Sequence, residues 1–156
     1  MPKAIKIKKR ENPKAHGHLK ICVWNVDGSL AQEGIYDNLV VDAGLSQIIE
    51  HLVDPTPTPV LLRIDEVALG TGTNAPAPGD TALQTEVYRN NIASANGVAK
   101  VGTFTGFFSP SETNGTYREA GLFIDGTVLF SRVAINITKS AAQSMTIEWT
   151  VTMTAS

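Results

Sequence analysis

Cysteine is almost missing from this chain: Cys22 is the only one among 156 residues. An intrachain disulfide is therefore excluded, and a chain of this length can bury enough surface to do without one. Cys22 reads as a small buried hydrophobe. Aromatic side chains are also scarce, with two Trp, three Tyr and five Phe, and the basic N-terminal tail lacks the interleaved aromatics that would stack on bases. Histidine occurs three times, as His16, His18 and His51. The His16-x-His18 pair could share one face of an extended segment, but no cysteine or carboxylate stands near it at ligand spacing. These two are expected to be solvent-exposed, and His51 to be a partly exposed helix residue favoured by the C-terminal dipole. No apolar run approaches the roughly 20 residues of a membrane span. The basic N-terminal residues lead into no apolar segment and do not read as a secretory signal.

Catalytic patterns are missing as well. Ser46, Ser109, Ser131 and Ser144 lie in no Gly-x-Ser-x-Gly elbow. Asp65 and Glu66 are adjacent, so on a strand they point to opposite faces and cannot grip one substrate together. The segment Gly70-Thr-Gly-Thr-Asn-Ala-Pro-Ala-Pro-Gly79 contains a GxG between a strand and a capped segment. Ala75 occupies the third glycine position of a dinucleotide fingerprint, and Pro76 and Pro78 interrupt the place where its helix would open. No Lys-Ser/Thr follows to make a phosphate-binding loop. A surface loop is the better reading, and the chain is expected not to be an enzyme and to carry no metal or cofactor.

What is plentiful is Gly and Pro, at 13 and 8 residues, which with frequent Thr and Asn suits many short strands joined by tight turns. The charge is uneven. Residues 1–20 hold seven Lys/Arg and one Glu, a net of +6, whereas the remainder nets −8. A basic tail on an acidic body is built to touch something else. Within the tail, Lys3-Ala-Ile-Lys-Ile-Lys-Lys9 places Ile5 and Ile7 on one face and Lys6 and Lys8 on the other when extended. Lys9 and Arg10 continue the positive run. Such a segment can add as a strand to an exposed sheet edge. A salt-sensitive grip on nucleic-acid phosphates is a weaker alternative.

Along the body, residues 19–26 read as a strand, Asp27-Gly28 as a hairpin turn and residues 30–36 as the returning strand. Asp42 reads as an N-cap, and Leu45, Ile48, Ile49 and Leu52 recur at helical spacing on one face, predicting a helix over 43–53. Pro55-Thr-Pro-Thr-Pro59 ends it. A strand over 61–69 follows. Thr81-x-x-Gln84 fits a capping box, predicting a second short helix to about Tyr88. Asn96-Gly97, Asn114-Gly115 and Asp125-Gly126 mark turns around further strands. In the last strand Met145, Ile147, Trp149, Val151 and Met153 alternate with Thr146, Glu148, Thr150, Thr152 and Thr154, the pattern of a half-exposed antiparallel strand. The expected architecture is mainly β: a two-sheet antiparallel β-sandwich of seven or eight strands with one or two short helices. A basic extended arm over residues 1–18 precedes the body, residues 19–156.

Three segments carry a resemblance: Asn38-Leu-Val-Val-Asp-Ala-Gly-Leu45, Val67-Ala-Leu-Gly-Thr-Gly-Thr73 with Asp80-Thr-Ala-Leu83 and Glu86-x-x-Arg89, and Tyr117-Arg-Glu-Ala-Gly-Leu-Phe123. Leu129-Phe-Ser-Arg-Val133, Ile137-Thr-Lys139 and Thr146-Ile-Glu-Trp149 follow in order. Together they resemble a family of tailed-bacteriophage virion structural proteins: capsid decoration (cement) proteins, tail proteins and N-terminal domains of tail fibres. The resemblance implies a virion part on the capsid exterior or tail, made in the host cytoplasm. It implies a homo-oligomer, with a trimer expected, whose partner is the major capsid protein or another virion protein, with no membrane partner. A decoration protein is the leading expectation and a tail, baseplate or fibre-attachment adaptor the alternative. Lys3, Ile5, Lys6, Ile7, Lys8, Lys9, Arg10, Arg118 and Glu119 are the expected partner-interface residues. Arg89, Arg132 and Lys139 could extend that interface as a charge network, and Arg118-Glu119 could equally be an ordinary cross-strand pair.

Overall fold

The computed structural model describes residues 14–59 and 61–154. Nine strands, β1 (Lys14–Asn25), β2 (Leu30–Val40), β3 (Ile64–Gly70), β4 (Glu86–Asn91), β5 (Ser94–Val98), β6 (Val101–Phe108), β7 (Gly115–Ile124), β8 (Val128–Lys139) and β9 (Gln143–Thr154), and one helix, α1 (Asp42–Val53), make up the described residues' regular structure. All the pairings are antiparallel, and the strands form a single sheet in the order β4-β3-β7-β8-β2-β1-β9-β6-β5. The sheet curls into a half-barrel, where the pattern of strands had predicted a two-sheet sandwich.

β2 is the reason. Its residues 30–38 pair with β1, and its last two, Leu39 and Val40, pair with Arg132 and Ser131 of β8. One strand thus serves both halves, and the ladder runs through without a break. Asn38 donates to Ser131 Oγ, which in turn donates to the Leu39 carbonyl at 2.9 Å, tying the crossing together. At the far side the two edges of the sheet approach each other. β4 runs through Ile92 and Ala93 directly into β5, and the Asn90 amide donates to the Phe107 carbonyl of β6 at 2.9 Å. Tyr88 and Phe108 meet edge to face across the same gap, with centroids 6.0 Å apart.

The inside of the curl is the main core. Strand periodicity sends alternate residues inward: Leu19, Ile21 and Val23 from β1, Val133, Ile135 and Ile137 from β8, and Met145, Ile147, Trp149 and Val151 from β9. From Met145 to Val151 the last strand alternates as its sequence predicts, with Glu148 exposed, but Met153, expected on the inner face, is 40 % exposed. Each of these large side chains contributes about 1.5–3 kcal/mol by leaving water. A smaller cluster of Val41, Ala68, Leu83, Phe123 and Leu129 lies on the outer side of β3, β7 and β8. Cys22 is buried, and its thiol lies 3.6 Å from the Glu33 carboxylate.

Several turns depart from expectation. Asp125 and Gly126 both take positive φ, 47° and 62°, and make the predicted turn, with Thr127 completing a three-residue connection between the paired Ile124 and Val128. At Asp27-Gly28 only Gly28 is left-handed, and the turn spans three residues, with Gly28 N–H donating to the Asn25 carbonyl. Asn96-Gly97 is no turn at all: both residues lie in β5, and the reversal falls at Ala99-Lys100 because Val98 pairs with Val101. The first strand begins at Lys14, so five residues of the expected 1–18 arm belong to the sheet. Lys3, Ile5, Lys6, Ile7, Lys8, Lys9 and Arg10 lie outside the described residues.

α1 begins one residue earlier than predicted. Val41 is its N-cap, with no side-chain cap, and Asp42 sits in the first turn. Gly44 and Gln47 are the buried residues of the helix, and Ile48 is half-buried. Leu45, Ile49, Leu52 and Val53 are exposed, at 39, 59, 75 and 75 %. The apolar stripe read from the sequence thus exists, but most of it faces away from the sheet. Gly44 makes this possible, since a Cβ there would sit 2.8 Å from the Phe130 Cα and 2.7 Å from its carbonyl oxygen. Gly44→Ala should therefore force α1 off β8 and lower stability by about 1–3 kcal/mol, the usual cost of overpacking. Urea unfolding would measure it, and an unchanged midpoint would contradict this account of the helix docking.

Candidate functional site

The segment between β3 and β4, residues 71–85, is a strap laid over the outer cluster, with Leu83 buried beneath it. β7 and β8 hold it in place. Glu119 on β7 and Arg132 on β8 point to this outer side and are buried, at 1 and 3 %. The Arg132 guanidinium donates to Glu119 Oε2 from Nη2 at 2.8 Å and from Nε at 3.1 Å. Its Nη1 donates to Asp80 Oδ2 at 2.7 Å, and Nη2 also reaches the Asn74 carbonyl at 3.1 Å. Glu119 in turn accepts three strap amides: Gly72 at 3.0 Å, Gln84 at 2.9 Å and Thr85 at 2.7 Å. Both ions are thus paired and hydrogen-bonded, which is what permits their burial.

This arrangement explains why the predicted second helix does not form. A capping box needs the amides of the first turn, and Glu119 takes those of Gln84 and Thr85. The Gln84 side chain turns the other way and accepts the Asn74 amide at 2.8 Å. Residues 81–85 are irregular, and β4 starts at Glu86. Gly72 has a separate reason for being glycine: a Cβ there would collide with the Glu119 carboxylate. The GxG that invites a nucleotide-loop reading therefore wraps a carboxylate belonging to the protein itself.

The hydrogen bond from the Ala77 amide, followed by the Arg132 guanidinium, holds the Asp80 carboxyl below its ordinary value. A carboxylate with a depressed folded pKa adds stability above its unfolded pKa, and that stability is lost as pH falls through the folded value. The strap is consequently weakest in acid. Arg132 is raised further above its ordinary range, the two carboxylates outweighing the effect of burial.

The other charged residues expected at an interface are mostly occupied inside the molecule. Arg89 pairs with Glu86 at 2.7 Å and Glu66 at 3.0 Å, and its guanidinium lies 3.7 Å from the Phe123 ring centre. Lys139 is buried and donates to the Pro110 and Glu112 carbonyls and to Asn114 Oδ1, fastening the loop between β6 and β7. Burial pushes its ammonium below the ordinary lysine value. Glu119 is interior and pairs with Arg132, whereas Arg118 is exposed at the irregularity in the ladder between Tyr117 and Glu119 and pairs with no acidic side chain among the described residues.

Comparison with protein-family models, with curated proteins and with solved structures finds no match to this chain. The site must be read from its own chemistry. His16 and His18 are exposed on β1, and His51 Nδ1 lies 2.8 Å from the Gln47 carbonyl within α1. Among the described residues no three His, Cys, Asp or Glu are grouped to hold a metal ion, and no helix is long and apolar enough to cross a membrane. The latch was legible only in part. Arg132 and Glu119 lie in the Leu129–Val133 and Tyr117–Phe123 motif segments, but their pairing joins strands that neither sequence spacing nor periodicity connects.

Glu119→Ala should leave Arg132 buried without its principal partner and cost about 3–5 kcal/mol. Limited proteolysis should then cut within residues 71–85, where the wild-type protein resists. Asp80→Asn should flatten the acid limb of the stability curve, measured by thermal unfolding from pH 6 to pH 3. An unchanged acid limb would remove Asp80 from the account of the latch.

Proposed function

We propose that this protein is a structural, non-enzymatic component of a tailed-phage virion, acting as a capsid decoration protein that reinforces the shell from outside. The observation that carries this reading is where the motif segments meet. Residues 38–45, 67–89, 117–123 and 129–133 converge on the outer face of the sheet, where they lock one another rather than frame a reaction. Val41 N–H donates to the Phe130 carbonyl at 3.1 Å, and Asp42 N–H to the Pro78 carbonyl at 2.8 Å. Glu119 and Arg132 close the lock. Motifs that join four segments into one rigid face suit a part that must bear load.

Two further features support assembly. The outward stripe of α1, with Leu45, Ile49 and Leu52, is an apolar helix face of the kind that a neighbouring subunit covers. The body is acidic, and the segment preceding β1 is basic. That segment would lie along the shell or a neighbouring subunit, with Ile5 and Ile7 entering by strand addition and the lysines pairing with acidic surface. A trimer is the assembly this reading expects, with the major capsid protein as partner.

The copy number in purified particles, measured by mass spectrometry against the major capsid protein, tests the reading. A ratio near one to one is expected. A few copies per hundred would instead favour a tail or baseplate adaptor. Removing residues 1–13 should abolish attachment to particles while leaving the unfolding midpoint unchanged. Leu45→Ser, Ile49→Ser and Leu52→Ser together should weaken assembly at least about tenfold with little loss of stability, since surface changes usually fall within about 0.5 kcal/mol. Normal attachment by both variants would defeat the proposed mode of assembly.

A further inference from the structure

One end of the curled sheet is open, and a cavity of about 450 Å³ enters the core there. Its floor is made by Ile124, Phe130 and Val151, which are buried at 1, 6 and 6 %. Ile48 from α1 and Phe104 from β6 form its walls. At the mouth stand Leu62 and Met153, exposed at 44 and 40 %, together with Arg63 and Lys100. The lining is thus apolar at depth, with two basic residues among those at the mouth.

Three features of this lining select an occupant. None of the lining residues is acidic. Neither Arg63 nor Lys100 forms an ion pair among the described residues. Both are held at the lip by their own backbones: the Arg63 carbonyl accepts from Asp125 N–H at 3.1 Å, and the Lys100 carbonyl accepts from Met153 N–H at 2.9 Å. The volume falls in the range of small-molecule pockets, about 300–1,000 Å³. The basic segment preceding β1 is a poor occupant, because it would bring lysines against these two cations.

We propose that this cavity binds a single-chain anionic amphiphile, a fatty carboxylate, with its tail on Ile124, Phe130 and Val151 and its head between Arg63 and Lys100. Nothing in the virion reading requires such a ligand, and the proposal stands apart from it. Apolar burial would supply most of the affinity, and the two cations would orient the chain and select its charge.

Isothermal titration of the delipidated protein with laurate and with dodecanol, below their aggregation concentrations, tests it. Saturable one-to-one laurate binding is expected, with dodecanol at least tenfold weaker. The double variant Arg63→Gln, Lys100→Gln should bring laurate down to the dodecanol level while leaving dodecanol itself unchanged. Val151→Trp should abolish binding of both by filling the floor. Ala95→Trp, at an exposed position on the lip, should weaken both and keeps the test independent of any folding defect in the core. Absence of saturable laurate binding would overturn the proposal, as would equal affinity for the two probes. Sedimentation showing two copies joined through this mouth, with laurate excluded, would overturn it in favour of a subunit socket.

Discussion

The buried pair of Glu119 and Arg132 is the constraint on which the outer half of the molecule depends. Two adjacent strands each place one charge on the side of the sheet away from the main core, where an open face would let water reach both. The strap of residues 71–85 covers them and is itself held by them, since Glu119 gathers three of its amides and Arg132 gathers Asp80 and a carbonyl. Each meets a need of the other: the strap shields the pair from water, and without the pair the strap would have polar backbone groups without partners. This reciprocity lets a fifteen-residue segment without regular structure lie flat on a sheet and bury Leu83, Phe123 and Leu129.

The inner half follows a simpler rule. Alternation along β1, β8 and β9 sends one set of side chains inward, and the curl of the sheet brings those sets together around Trp149. β2 makes the curl possible by changing partners part-way along its length. A sandwich would have needed two separate sheets, each with its own edges. Here the run of pairing is continuous from β4 to β5, and the two outermost strands are neighbours in the chain.

Local order was well expressed in the amino-acid sequence where it depends on neighbours a few residues apart. The alternation of β9, the turn at Asp125-Gly126 and the extent of α1 all belong to that class. Features decided by distant residues leave no such local trace. The capping-box pattern at Thr81-x-x-Gln84 is sound as local chemistry, but a carboxylate 34 to 35 residues away competes for the same amides and wins. Asn96-Gly97 is a good turn pair, yet the register of β5 against β6 moves the reversal to Ala99-Lys100. The apolar stripe of α1 was correctly spaced, while the direction it faces depends on Gly44 lying against the Phe130 backbone. Burial of Glu119 and Lys139 had no sequence signal, because a charge looks the same in sequence whether it meets water or a partner.

The pairing of β1 with β9 has a consequence for how the chain comes to be folded. The two strands run side by side along their full length, although their residues are separated by 118 positions at one end and 140 at the other. During synthesis the inner face of β1 is made long before the strand that will cover one of its edges. β1 and β2 can close as a hairpin early, but Leu19, Ile21 and Val23 then wait for Ile147 and Trp149 with an unpaired edge beside them. Closing so long a loop is slow and leaves that edge open to other chains. The alternate residues Lys20 and Glu33 place opposite charges on the outer side of that early hairpin, 3.1 Å apart. The two-faced strand thus carries its charge on the side that stays in water and its apolar residues on the side that waits for β9.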